Sequence, residues 1–153
     1  MQLSSRTAPL PSPFLAESGG SQNTAALLER KPGILVVDDE ECIRDVLRRA
    51  LEREGYPVWL AGNGREALTL FRHHREAIAV VLLDVLMPGL DGVQTLKALR
   101  QIDPAVRSCF MSGSLGDYRV SDLLDQGATC LFSKPFRLEE VTCFLGRFVA
   151  GAA

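Results

Sequence analysis

The chain has 153 residues, of which 46% are hydrophobic and 24% charged, with a formal net charge of -2 and a pI near 5.7. This is enough sequence for one globular domain with a filled core, and the near-balance of charge argues against general attraction to nucleic acid. No apolar stretch reaches the ~20 residues of a membrane-spanning helix.

Residues 1–31 are rich in Ser, Pro, Gly and Ala and show no sustained periodicity, so a flexible tail is expected. Pro9, Pro11 and Pro13 interrupt the continuous apolar core that a secretory signal would need, and a cytoplasmic protein is the expectation. From Pro32 the pattern changes, and one domain is expected over 32–150. "GILVV" (Gly33 to Val37) reads as a buried strand ending on Asp38 and Asp39. Ile43, Val46, Leu47, Ala50 and Leu51 then recur at helical spacing, and Gly55 closes that helix. "PVWLA" (Pro57 to Ala61) is strand-like, and Asn63-Gly64 opens a helix carrying Ala67, Leu68 and Phe71.

The run from Val80 to Leu83 could sit in mid-sheet, yet it ends on the carboxylate of Asp84 with no cation beside it in the sequence. After a loop through Asp91-Gly92, Val93, Leu96, Leu99 and Ile102 line a third helix. A fourth strand lies within Ala105 to Gly113, and a short helix from Tyr118 to Gln126 stops at Gly127. "ATCLFS" (Ala128 to Ser133) is a fifth strand, and Leu138, Val141, Leu145 and Phe148 form the stripe of a last helix. Strands alternating with helices predict an α/β fold, a doubly wound five-stranded parallel sheet with helices on both faces. Cys42, Cys109, Cys130 and Cys143 are scattered, and His73 and His74 are the only histidines. A zinc site is therefore not expected; buried reduced thiols and exposed histidines near a helix end are.

Open parallel sheets bind ligands beyond the carboxyl ends of their strands. Those ends carry Asp38 and Asp39, Asp84, Ser112 and Lys134, while the second strand brings only Ala61-Gly62. Singly, each residue has an ordinary reading: an Asp after a strand caps a turn, and Glu40 and Glu41 favour a helix's first turn. Together, three carboxylates repel unless one is protonated or a hard cation such as Mg²⁺ joins them. A carboxylate beside Mg²⁺, with an ammonium and a hydroxyl aimed at the same spot, is arranged to attack a phosphoryl group.

These residues resemble the receiver domain of bacterial two-component response regulators over about Gly33 to Val149. "ILVVDDE" is similar to that family's first strand and acidic pair, "LLDVLMPGLDG" to its phosphoacceptor loop, "MSG" to its switch position and "FSKPF" to its lysine motif. The resemblance implies a flavodoxin-like strand order 2-1-3-4-5 and a stand-alone receiver similar to chemotaxis regulators. It implies Asp84 as phosphoacceptor, Asp39 as a direct Mg²⁺ ligand, Asp38 acting mainly through metal-bound water, and the Leu86 carbonyl completing the protein ligands. Ser112 and Lys134 would hold phosphoryl oxygens, and a cis peptide would precede Pro135.

One departure concerns the switch. The family commonly has an aromatic three residues before the lysine; here that place is Leu131, and Phe132 lies one step along on the other face of the strand. The implied partners are a sensor histidine kinase or histidine phosphotransfer protein and a downstream effector protein, with no direct nucleic acid and no membrane. No effector domain is expected before Ala153, so output would pass through a partner or a phosphorylation-dependent homodimer. An aspartyl-phosphate phosphatase of similar α/β core is the alternative. It would want a second acid two residues after the nucleophile, where Leu86 stands, and a cap domain. A flavin carrier would need an anion cradle after the first strand, where "DDEE" repels phosphate.

Overall fold

The computed structural model describes residues 31–151; of the expected tail over residues 1–31, all but Lys31 lies outside them. Five strands and five helices alternate: β1 (Gly33–Val37), α1 (Glu41–Arg53), β2 (Val58–Ala61), α2 (Gly64–His74), β3 (Ile78–Asp84), α3 (Gly92–Ile102), β4 (Ser108–Ser112), α4 (Val120–Asp125), β5 (Cys130–Ser133) and α5 (Leu138–Val149). The sheet is parallel throughout, in the order β2-β1-β3-β4-β5. Both the doubly wound architecture and the strand order agree with expectation.

The period-2 alternation of the central strands sorts the core into two layers. Leu35, Val37, Val81 and Leu83 face α2, α3 and α4 through Phe71, Leu96, Leu99 and Leu123. Ile34, Val36, Val80 and Leu82 face α1 and α5 through Leu47, Leu51, Val141 and Leu145. Leu131 packs on the first layer and Phe132 on the second, as their adjacency in a strand requires.

Local signals set the helix ends. The Asn63 side chain accepts from Glu66 N at 2.9 Å to start α2. Asp91 and Gln94 form a reciprocal capping box on α3. Gly55 and Gly127, with φ of 87° and 85°, take the left-handed conformation that ends α1 and α4.

Some expectations shift. Val46 is 47% exposed, so the buried stripe of α1 narrows to Leu47 and Leu51. The fourth helix is shorter than expected because Tyr118 and Arg119 belong to the preceding loop. All four cysteines are free, but only Cys109 is buried; Cys42 and Cys143 are exposed on the outer faces of their helices. His73 and His74 are exposed at the end of α2. Lys31 Nζ sits 4.7 Å from the Tyr56 ring centroid, which attaches the start of the described segment to the domain. Among the described residues, no helix is long and apolar enough to cross a membrane.

Candidate functional site

Parallel pairing brings the carboxyl ends of β1 and β3 side by side, with Val37 opposite Leu83. The next residue on each strand is an acid, so the sheet itself juxtaposes Asp38 and Asp84. Carboxylate oxygens of Asp38, Asp39 and Asp84 lie within 4.8 Å of one another. Asp38 is fully buried and Asp84 nearly so, whereas Asp39 is exposed. Three hydrogen bonds hold Asp38 in place. Its N–H donates to the Ala61 carbonyl at 3.1 Å, its carbonyl accepts from Arg44 Nη1 at 2.7 Å, and its Oδ1 accepts from Glu40 N at 2.9 Å.

Beyond Asp84 the chain turns sharply back, and Gly92 N donates to the Val85 carbonyl at 2.8 Å. A Cβ at Gly92 would collide with the Asp84 carbonyl oxygen, so this return requires glycine.

From the other half of the sheet comes Lys134. Its Nζ donates to Asp38 Oδ2 at 2.6 Å and lies 3.4 Å from Asp84 Oδ1 and 3.8 Å from Glu40 Oε1. One ammonium thus serves three acids. Burial, then the charge of Asp38, pushes the Asp84 carboxyl up to about 7 against the pull of Lys134; Asp39 adds to the rise by hydrogen bond and charge. Burial alone would lower the Lys134 ammonium, but the hydrogen bond to Asp38 and the charges of Asp38 and Asp84 outweigh it and hold it above its ordinary value. The cluster therefore carries more negative charge than Lys134 relieves. Its all-oxygen donor set is the kind that a hard divalent cation takes.

Asp39, Glu40, Asp84, Leu86, Gly113, Ser114 and Lys134 line an open cavity of about 280 Å³ over these groups. Leu86 is 40% exposed, and its side chain lies close enough to Gly116 that a Cβ added there would meet it. Ser112 ends β4 with its hydroxyl donating to the Ser114 carbonyl. It lines an adjoining cavity of about 270 Å³ with Leu131, Val120 and Lys134. The Lys134–Pro135 peptide is cis.

Every residue expected at the site thus gathers at one edge of the sheet. Asp38, Asp39, Asp84 and Lys134 cluster together, Leu86 lines the same cavity, and Ser112 and Leu131 line the adjoining one. The sequence reading missed Arg44, which braces the β1–α1 turn, and the Ser114 carbonyl that holds the switch hydroxyl. It also missed the hydrogen bond from Tyr118 Oη to Asp91 Oδ2 at 2.7 Å, which ties the loop after β4 to the loop after β3. None of these contacts leaves a periodic signal in the sequence.

A doubly wound domain with an acidic cluster and a bridging lysine at its strand ends defines a phosphoryl-receiving signalling class. The chain belongs to the response regulator receiver domain family, whose model matches residues 34–145. It is 35% identical over 108 residues to sporulation initiation phosphotransferase F of Bacillus subtilis, covering 71% of this chain and 86% of that one. It is 44% identical over 110 residues to the response regulator MprA of Mycolicibacterium vanbaalenii, covering 71% of this chain but 46% of that protein. The chain thus spans less than half of this second relative.

Among solved structures, it superposes on TrrA of Thermotoga maritima, a response regulator in complex with Mg²⁺ and beryllium fluoride. The TM-score is 0.67 at 33% identity, covering 76% of this chain and 97% of that one. It also superposes on the CheX–CheY–BeF₃–Mg²⁺ complex of Borrelia burgdorferi, with a TM-score of 0.70 at 28% identity, covering 77% and 90%. Receivers of this family act in two-component signalling, where aspartyl phosphorylation and magnesium binding are typical.

Proposed function

We propose that Asp84 accepts a phosphoryl group from a phosphohistidine on a sensor histidine kinase or histidine phosphotransfer protein, in a Mg²⁺-dependent reaction. The domain then signals by a phosphorylation-controlled protein interaction. The observation that carries this reading is the gathering of three carboxylates within 4.8 Å around the end of β3, with Lys134 the ammonium in contact with two of them. The names of two relatives support it: one is a phosphotransferase, and another was solved with magnesium and beryllium fluoride.

In this reading Asp39 would ligate the metal directly, Asp38 would act mainly through metal-bound water, and Asp84 and the Leu86 carbonyl would complete the protein's ligands. When bound, the cation supplies charge to the phosphoryl oxygens and relieves the repulsion among the acids. An Asp84 oxygen attacks phosphorus as the bond from phosphorus to the donor imidazole nitrogen breaks. Lys134 takes one phosphoryl oxygen. Ser112 takes another by turning its hydroxyl from the Ser114 carbonyl, which frees the loop between β4 and α4 to change its conformation. Leu131 gives this switch no aromatic arm.

The reading covers residues 32–150 as a receiver, with 1–31 as an appended tail. It makes the protein a cytoplasmic signalling module that catalyses only its own phosphorylation and dephosphorylation. Output runs through an effector protein or a phosphorylation-dependent homodimer.

Incubation with acetyl phosphate and Mg²⁺ tests it by intact mass. One phosphoryl addition is expected, suppressed by chelator and absent in Asp84→Asn; undiminished labelling of that variant would overturn the assignment.

A further inference from the structure

The pairing of β4 with β5 places Cys109 directly opposite Cys130. Paired residues on parallel strands project from the same face, and both side chains pack in the layer beneath α5. Neighbouring strands run about 4.8 Å apart, within the roughly 4.4–6.8 Å Cα separation that a disulfide spans. Both thiols are free. Their environments differ: Cys109 is fully buried, while Cys130 is half-buried at the start of the edge strand. We propose that Cys109 and Cys130 are a peroxide-oxidisable pair, with Cys130 the thiol that meets the oxidant and Cys109 the one that resolves it into a disulfide.

The chemistry of each thiol suits its part. The hydrogen bond between the two thiols raises the Cys109 thiol, and burial raises it further; the same bond lowers Cys130. The Cys130 thiolate attacks one oxygen of a hydroperoxide. The S–O bond forms, the O–O bond breaks, and the departing hydroxide takes a proton to leave as water. Sulfur is oxidised by two electrons to a sulfenic acid. Cys109 sulfur then attacks Cys130 sulfur; the S–S bond forms, the S–O bond breaks, and hydroxide leaves as water with the Cys109 proton. Two thiols and one hydroperoxide yield one disulfide, with two waters when the oxidant is hydrogen peroxide. In a reducing compartment such a bridge is transient, which fits a sensor and not a structural staple. It would tie the strand ending on Ser112 to the strand leading into Lys134.

The test uses the full chain carrying Cys42→Ser and Cys143→Ser, which removes the two exposed thiols. After hydrogen peroxide, the proposal expects a loss of two hydrogens in intact mass, reversed by dithiothreitol. Trypsin should then release peptide 108–119 joined to peptide 120–137. Cys109→Ser in the same background leaves Cys130 as a sulfenic acid that dimedone captures, while the paired protein gives little adduct. Separate peptides bearing sulfinic or sulfonic Cys130, or unreacted thiols at a peroxide dose that oxidises Cys42 and Cys143 in the parent, would overturn the assignment. Equal dimedone capture with and without Cys109 would also overturn it.

Discussion

The inner strands that carry the acids and the edge strand that leads into Lys134 are built differently. β1 is buried along its whole length and β3 along nearly all of it, whereas β5 is half-buried for three residues and exposed at Ser133. The acids of Asp38 and Asp84 stand at the ends of the buried inner strands, where they can neither swing apart nor hydrate fully. Their repulsion persists until a proton, Lys134 or a cation relieves it. Lys134 follows the open edge strand, and Ser112, itself buried at the end of β4, leads into a loop between β4 and α4 that is largely exposed. The buried inner strands are thus suited to fixing the chemistry, and the exposed loop after β4 with the edge strand β5 to changing shape.

The sharpest division is between Asp84→Asn and Ser112→Ala. We expect the first to abolish phosphoryl addition completely. The second should retain addition while losing the phosphorylation-dependent change in hydrogen exchange over residues 113–119. A Ser112→Ala protein that still shows this change would place the readout elsewhere.

Next in size is Lys134→Ala, which leaves the buried Asp38 carboxylate without its ammonium. A loss of about 3 kcal/mol in urea unfolding is expected. Glu40→Ala, at the exposed end of the same cluster, should change stability by less than about 0.5 kcal/mol. Similar losses in the two variants would erase the contrast between buried and exposed acids.

The pH dependence of the metal-free protein sharpens the same point. With the folded-state Asp84 carboxyl pushed up to about 7 from the ordinary 3.8, the folded protein holds a proton that the unfolded chain releases. Stability from this group is therefore full below about pH 4 and is lost as pH rises towards 7. Asp84→Asn lacks this slope. In chelator it should outlast the parent by about 2 kcal/mol above pH 7, discounted from the full shift because Lys134 loses a partner as well. Parallel stability profiles from pH 4 to 8 would show that Asp84 is not under strain.

The smallest effect is kinetic. Leu86 lines the same cavity as Asp84, and its side chain would offer no hydrogen bond to a water approaching the phosphorus of a phosphorylated Asp84. Leu86→Asn should speed decay of the phosphoprotein several-fold, about 1 kcal/mol of barrier, once phosphodonor is removed under saturating Mg²⁺. An equal or slower decay would mean that water access is governed by another residue.

Much of this arrangement is legible in the sequence because parallel sheets put chemistry at strand ends. "GILVV" gives β1 to the residue, and the abrupt carboxylate after Leu83 marks the site. What stays hidden depends on contacts between residues distant in the chain. No local pattern says that Lys134 meets Asp38 at 2.6 Å, or that Arg44 turns inward to the Asp38 carbonyl and away from water. Likewise, Val46 has the spacing of a core residue, but only the placement of α1 against the sheet decides that Leu47 and Leu51 take the buried places.

The Asp91 carboxylate is shared by two structures. Its Oδ1 caps α3 through Gln94 N at 2.8 Å, and its Oδ2 receives the Tyr118 hydroxyl at 2.7 Å. One short side chain therefore acts as a pin through two plates. The first turn of α3 cannot tilt without tugging the segment that leads into α4. The movement proposed to begin at Ser112 would accordingly have a mechanical route to a helix on the far side of β3's loop, through a joint outside the proposed phosphoryl site.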